Sequence, residues 1–382
     1  MKVEEIKKIA VMGAGDMGHG MAQVALMSGY KVAIRDIEQR FIDKGAQGIK
    51  DSLERFFVAK GKLTAEQRDE MLNRLETTVS IEEAVKDADF VIEAVPEVMD
   101  IKKSVYKDLD KFAPEHAILA TNTSNMSITE IAKATNRPDK VVGMHFFNPA
   151  VRMKLVEVTK GEKTSEETMQ VTYDLAKNMS KAPVRVEKDS PSFIYNRVNA
   201  PVMLLLELIL EKKIVSPEEF DGAFKAVMPM APYELLDFVG IDIAYHGLKY
   251  LHDGLSTDYR GTALEQKVNA GELGKKTGKG FYDWSAGRPT IDTSKATKEF
   301  SVNDLIALQV NEATKLLDEG VAKSASDIDT AIINGGGGFG PFQLAKSIGY
   351  AELTRRCEAL AQRFNVGVFK PTDTMKEGKI EV

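Results

Sequence analysis

A glycine-rich turn, VMGAGDMGHG, arrives by residue 13 of this 382-residue chain and limits what the chain can be. Gly13, Gly15 and Gly18 form G-x-G-x-x-G directly after the apolar run KKIAVM, at the start of a helical pattern ending near Gly29. In a strand–turn–helix unit, glycines at this spacing allow a tight turn, let backbone approach a pyrophosphate, and let helix pack on strand. The helix N-terminus then meets the phosphate charge. The loop from Gly13 to Gly18, with Asp16 and Met17 inside it, is therefore read as a dinucleotide cradle. Alone the motif is weak, because glycine-rich turns occur by chance. Here the next strand pattern, YKVAIRD, ends in Asp36, twenty-one residues after Gly15, where a carboxylate can take the adenosine ribose hydroxyls. Asp36 would repel a 2′-phosphate, so NAD is expected rather than NADP, with Arg35 and Arg40 as the features that weigh against it.

Up to about residue 188, β-rich runs alternate with helical patterns: KIAVMG, KVAIRD, DFVIEAV, AILATN, VVGMHFF, KLVEVT and PVRVEK. The runs lack period-two polarity, which implies a mostly parallel sheet covered on both faces. A charged stretch from Glu38 to Glu76 is expected to form a helical hairpin between the second and third runs. After KDSPSF helical patterns take over and contain a repeat. SPEEFDGA (216–223) matches SASDIDTA (324–331), and APYELLDFVG (231–240) matches GPFQLAKSIG (340–349), at separations of 108 and 109 residues. The first pair opens with Ser at an N-cap position and an acid three residues later, a helix-start signature. The expected fold is thus an α/β, Rossmann-like N-terminal domain (1–188) followed by an all-α region of two repeated helical modules (189–288 and 289–382). The ending FKPTDTMKEGKIEV reads as a linker.

Composition removes several classes. A net charge of −6 gives no electrostatic reason to expect nucleic acid or an anionic membrane as partner. Cys357 is the sole cysteine, so no internal disulfide forms and no oxidising compartment is required. The start, MKVEEIKKIAVMGAG, is charged where a signal peptide needs an apolar run, and the apolar stretch APVMLLLELIL is short and broken by Glu207. A cytoplasmic protein is expected, with no metal site.

Alcohol oxidation with a nicotinamide cofactor requires an acceptor for the hydroxyl proton, ideally with a pKa near neutrality. Of the five histidines, His19 lies inside the phosphate loop, His116 in a polar turn, and His246 and His252 on a module helix. Only His145, in VVGMHFF, falls at the C-terminal end of a sheet strand, where open α/β sheets place ligands. A core histidine is the plainer reading of an imidazole in an apolar run; its location and the lack of a rival favour a proton acceptor. Glu157 follows twelve residues later, across the turn-like NPAVRM. A strand, a reversal and a neighbouring strand could set it beside His145, fixing the tautomer and stabilising the imidazolium. A surface salt bridge with Lys154 or Lys160 is equally compatible with the spacing.

At this point the chain resembles the L-3-hydroxyacyl-CoA dehydrogenase family over nearly its full length. The matching stretches are GAGDMGHGMA, the VPE of EAVPEVMDIKK, TNTS, HFFNP followed by MKLVEV, KDSPSFIYNR, PYELLDFVGID and KKTGKGFYDW. The resemblance implies His145 as general base with Glu157 as its partner. Ser124 and Asn196 would hold the substrate near the base, and Asn148 would support the same site. Glu97, Lys102 and Asn122 would join the glycines and Asp36 at the cofactor. From the residues alone, Ser124 and Asn122 could instead cap the following helix, although Ser127 with Glu130 could do that. Asn196 could be an exposed residue early in a helix, and Glu97 and Lys102 a solvated helix face. The coenzyme A contacts implied by the resemblance fall around Ser52 and Lys60, where a charge-rich helical tip could equally be solvated.

The implied activity is NAD-dependent, reversible oxidation of an (S)-3-hydroxyacyl-CoA to the 3-oxoacyl-CoA. A dehydrogenase of free 3-hydroxy acids, which resembles a design with a catalytic lysine, and a non-catalytic protein keeping the fold are the alternatives. Short family members carry one helical module and pair through it; here a second module could replace the partner subunit, so a monomer or a homodimer is expected. The second copy has Lys346 where the first has Asp237, lacks an FIYNR-like opening, and has GGGGFG in place of VMPMAP. It is read as a packing element. Some relatives continue into a hydratase, so fusion to or association with an enoyl-CoA hydratase is a further expectation.

Overall fold

The computed structural model describes residues 1–380. Among the described residues, eight strands form one sheet: β1 (Lys8–Met12), β2 (Lys31–Arg35), β3 (Leu75–Thr78), β4 (Phe90–Glu93), β5 (Ile118–Thr121), β6 (Val141–Phe146), β7 (Leu155–Thr159) and β8 (Ala182–Val186). Their order is β3-β2-β1-β4-β5-β6-β7-β8. Every neighbouring pair is parallel except β6 and β7. The strands β1, β4, β5, β6 and β7 are buried along their whole lengths, which is why their sequences run apolar without alternation. After β3 the chain returns to the other side of β1, so the ends of β1 and β4 flank the point where strand order reverses. Open α/β sheets leave a crevice there.

Helices α1 (Asp16–Met27), α2 (Gln39–Leu53), α3 (Ala65–Leu72), α4 (Ile81–Val85), α5 (Met99–Phe112), α6 (Ile128–Ala132) and α7 (Glu166–Asn178) connect the strands. Val11, Ile34, Phe90, Ile92, Met144 and Val156 of the sheet share one core with Met21 and Leu26 of α1 and Leu175 of α7. The stretch expected to be a helical hairpin is α2, a π-helical turn over Glu54–Val58, and α3, which Thr64 caps. It ends sooner than the sequence suggests: Glu76 lies in β3, a strand that was not expected. Its sequence, LETT, is polar because β3 is an edge strand with partly exposed side chains.

The helical region comprises α8 (Tyr195–Glu211), α9 (Pro217–Phe224), α10 (Pro232–Val239), α11 (Ile241–Gly254), α12 (Thr262–Asn269), α13 (Val302–Asp318), α14 (Ala325–Gly336), α15 (Pro341–Ile348), α16 (Tyr350–Phe364) and α17 (Asp373–Glu377). The repeat is visible in its chemistry. Ser216 caps α9 and Ser324 accepts from the Asp327 N–H at the start of α14. Asp221 then accepts from the N–H groups of Tyr233 and Glu234, and Asp329 from those of Phe342 and Gln343. Each aspartate thus satisfies the start of the next helix, α10 or α15. The difference at Asp237 also gains a reason. Its carboxylate accepts from the N–H groups of Phe281 and Tyr282 and from Trp284 Nε1, holding the GFYDW segment on the first module.

By compactness the chain divides into two units. One takes Met1–Phe193 with Gly320–Lys323 and Thr330–Gly338; the other takes Ile194–Glu319, Ser324–Asp329 and Phe339–Val382. The ending expected to be a linker is folded as far as it is described. Phe369 and Met375 are fully buried, and Asn311 of α13 donates to the carbonyls of Val368 and Lys370 and accepts from Thr372 N–H. Two apolar anchors in a polar stretch were too sparse to register as a pattern. Residues 381 and 382 of that ending lie outside the described residues. Among the described residues, no helix is long and apolar enough to cross a membrane.

Candidate active site

The turn after β1 follows from its glycines. Gly13 has φ +106°, and a Cβ there would lie 2.6 Å from the Ala94 carbonyl oxygen beyond β4. A Cβ on Gly18 would lie 1.9 Å from the Gly13 carbonyl oxygen. Gly15, the N-cap of α1, has nothing within 4 Å of the place a Cβ would take. Two glycines therefore let backbone meet backbone, and the third leaves space above a helix N-terminus, flanked by Asp16 and Met17. That shape fits a pyrophosphate. Asp36, just past β2, accepts from Ala14 N–H at 2.7 Å and from Ile37 N–H at 2.7 Å. A carboxylate has about four acceptor positions, so capacity remains for ribose hydroxyls. The nearby arginines are engaged elsewhere: Arg35 donates to the Val79 carbonyl and Arg40 pairs with Glu38. These residues fit NAD.

Beyond β4 and β5 lies a buried ionic chain. Glu93, at the end of β4, is fully buried and accepts from Val95 N–H, Lys102 Nζ and Thr121 Oγ1 at 2.7–2.8 Å. Lys102 of α5, 1 % exposed, also reaches Glu97 at 3.1 Å. Glu97 in turn accepts from the Thr123 hydroxyl and from Ser124 N–H. The reading of Lys102 as part of a solvated face is wrong: α5 turns this lysine inward, where two carboxylates meet it. Glu97 remains partly exposed. Glu93 was not singled out from the sequence, since an acid ending an apolar run looks like any strand terminus. Lys102→Met would leave Glu93 buried without its cation, and is expected to destabilise the fold by about 3–5 kcal/mol. Urea unfolding checks this; an unchanged midpoint would refute it.

Asn122, just past β5, accepts from Phe146 N–H at 2.8 Å through Oδ1, which pins the ends of β5 and β6 together and leaves its amide group as a donor. Ser127 caps α6 by accepting from Glu130 N–H, and Asp189 accepts from the N–H groups of Ile128 and Thr129. The hydroxyl of Ser124 has no part in that cap.

His145 and Glu157 are paired directly in the register of the antiparallel β6–β7 ladder. Directly opposed residues share a face with their Cβ atoms close, so the twelve-residue spacing follows from a hairpin-like reversal. The ring Nδ1 lies 2.7 Å from Glu157 Oε2. The imidazole is nearly buried and the carboxylate wholly so. Phe147 and Phe193 flank the ring, at centroid distances of 4.4 and 5.9 Å. With Nδ1 on the carboxylate, Nε2 is the nitrogen that can exchange a proton with a bound hydroxyl. Lys154 donates to the Ser180 carbonyl and Lys160 pairs with Glu166.

Asn148 is exposed beyond the end of β6. Asn196 is half-buried in the first turn of α8. Ser52 is half-buried near the end of α2, and Lys60 is exposed in the turn after it, its ammonium 5.5 Å from the Phe56 ring centroid. Of the other histidines, His19 bonds to the Gly15 carbonyl, His116 pairs with Asp89, and His246 and His252 sit on α11. Among the described residues, no group of three His, Cys, Asp or Glu side chains could hold a metal ion.

Residues 8–190 match the family described as 3-hydroxyacyl-CoA dehydrogenase, NAD binding domain. Residues 193–284 and 300–378 match 3-hydroxyacyl-CoA dehydrogenase, C-terminal domain, in two stretches that follow the internal repeat. The chain is 44% identical over 284 residues to the probable 3-hydroxybutyryl-CoA dehydrogenase of Bacillus subtilis (strain 168), covering 73% of this chain and 98% of that protein. It is 36% identical over 365 residues to the fatty acid oxidation complex subunit alpha of Psychrobacter cryohalolentis, covering 90% of this chain and 50% of that one. Among solved structures, it is similar to 3-hydroxybutyryl-CoA dehydrogenase from Escherichia coli K12, with a TM-score of 0.89, 28% identity and 98% of both chains covered.

Proposed function

The chain belongs to the 3-hydroxyacyl-CoA dehydrogenase family, and from that premise we infer that it oxidises (S)-3-hydroxyacyl-CoA to 3-oxoacyl-CoA with NAD, reversibly. The observation that carries this reading is the pair formed by His145 and Glu157 at the end of β6. When bound, NAD supplies the acceptor for the hydride that leaves C3. His145 Nε2 takes the proton of the C3 hydroxyl as the carbonyl forms, and the carboxylate of Glu157 steadies the resulting imidazolium. In the reverse direction the imidazolium returns that proton to the developing alkoxide.

We assign Ser124 and Asn196 to the substrate oxygens, where a hydroxyl and a carboxamide polarise the 3-oxo group, with Asn148 supporting them. The cofactor is assigned to Gly13, Gly15, Asp16, Met17, Gly18, Asp36, Glu97, Lys102 and Asn122. Ser52 and Lys60 are assigned to coenzyme A, which the exposed ammonium of Lys60 suits. The coenzyme A thioesters in the relatives' names favour this reading over one based on free acids or on a non-catalytic protein. Likeness to half of a fatty acid oxidation complex subunit supports work beside an enoyl-CoA hydratase. We further propose that the protein is cytoplasmic, and a monomer whose second module replaces a partner or a homodimer.

The test is NADH oxidation with acetoacetyl-CoA and, separately, with acetoacetate, each repeated with NADPH. Rapid turnover is expected only with the thioester and NADH. Equal rates on the free acid would defeat the thioester assignment, and equal rates with NADPH the role given to Asp36.

A further inference from the structure

We infer that the second helical module positions the substrate-holding turn of the first: Glu312 and Glu319, by seating Arg197, fix the orientation of its neighbour Asn196. The inference rests on the assignment of Asn196 to the substrate.

Arg197 is the third residue of α8 and 1 % exposed. Its Nε donates to Glu312 Oε1 at 2.9 Å, while Nη1 and Nη2 each meet an oxygen of Glu319 at 2.6 Å. The second oxygen of Glu312 accepts from Lys315 Nζ at 2.9 Å, and that ammonium also donates to the Val368 carbonyl. Two cations and two carboxylates therefore balance, and both carboxylates come from α13 or the residue after it. One turn further along α8, Gln309 of α13 donates to Asn199 Oδ1 at 2.8 Å, and Asn199 donates to the Tyr195 carbonyl at 2.8 Å. Arg197 is thus gripped directly from the second module, and Tyr195 through Asn199.

Packing alone does not call for this. Both helices already bury apolar side chains in one core, among them Leu204 and Leu208 of α8 and Ile306 and Val310 of α13. Replacing a buried ion pair with well-packed apolar residues is often neutral or stabilising, so packing energy gives no reason for this one. A forked contact between guanidinium and carboxylate fixes angle as well as place. The equivalent point in the repeat differs. The third residue of α13 is Asp304, and its carboxylate pairs with Arg356 of its own module. At this third position, the charged reach between modules is made from α8, whereas α13 turns to its own module. That role goes beyond the packing element read from the sequence.

The experiment uses the full chain and NADH oxidation with acetoacetyl-CoA. Glu319→Gln, Glu312→Gln and Arg197→Lys are expected to raise KM for the thioester and lower kcat/KM on the order of tenfold, because small displacements of a positioning group are costly. NADH binding should stay at the wild-type value. A purely structural contact would lower the unfolding midpoint and leave the thioester KM alone. In an Asn196→Ala background, Glu319→Gln should cause no further loss. If Asn196→Ala by itself keeps wild-type kcat/KM, the substrate assignment fails and the inference with it. If Asn196→Ala is impaired while the Glu→Gln variants are not, or if the losses multiply in the double variant, the positioning role alone is overturned. Should Glu312→Gln not fold, Glu319→Gln carries the test, since that side chain is 44% exposed.

Discussion

His145→Gln is expected to lower kcat by a factor of about 10² to 10⁴ while leaving NADH binding unchanged. Glutamine can still donate toward Glu157, so the β6–β7 pairing survives, but it has no nitrogen able to accept a proton from the C3 hydroxyl. The dinucleotide cradle is built on β1, β2 and β4 and does not use the imidazole. Titrating NADH by its fluorescence and measuring single-turnover oxidation separates the two effects. Turnover within a few-fold of wild type would remove His145 from the chemistry. Weakened NADH binding would show that the substitution had disturbed the sheet.

The second large effect is expected at the glycine turn. With a Cβ placed 1.9 Å from the Gly13 carbonyl, Gly18→Ala must push the turn away from α1. Overpacking of this kind costs about 1–3 kcal/mol. Because the displaced atoms are the cradle itself, NADH binding should weaken by roughly tenfold to a hundredfold. Gly15→Ala separates fold from ligand: its added methyl meets nothing within 4 Å, so the unfolding midpoint should hold while NADH binding still falls. Calorimetric titration with NADH reads the binding, and a thermal scan the midpoint. Wild-type affinity in Gly18→Ala would mean that the turn relaxes freely and is no rigid cradle.

Much of the sheet was legible because strands buried on both faces have no choice but to be apolar throughout, as in KIAVM and VVGMHF. The LETT strand was not, because an edge position relaxes that demand. The repeat was legible because its Ser and Asp positions do a local job at helix starts, and local hydrogen bonds leave fixed spacings. The folded ending was missed because Phe369 and Met375 act through long-range burial, which leaves no period.

At the site the same division holds. Gly13, Gly18 and Asp36 lie within one strand–helix–strand unit, β1–α1–β2, so spacing alone locates them. Lys102 could not be read, because on a helix with many lysines nothing in the sequence says which one turns inward. Whether Glu157 met an imidazole or a lysine depended on the register between two strands. No spacing rule decides that; the direct pairing of His145 with Glu157 does. The environment of Arg197 was the least legible, since its carboxylates come from more than a hundred residues away.

The one antiparallel step in the sheet has a consequence for how this chain can vary. Side chains on a strand alternate strictly, so the imidazole and its carboxylate meet by parity. The length of the connection 147–154 does not decide that meeting, because it sets only how the reversal is made. Adding or losing a single residue inside β7 would instead present Val156 or Val158 to the ring and turn the acid to the opposite face. An odd-numbered slip within a five-residue strand is enough to disarm the enzyme.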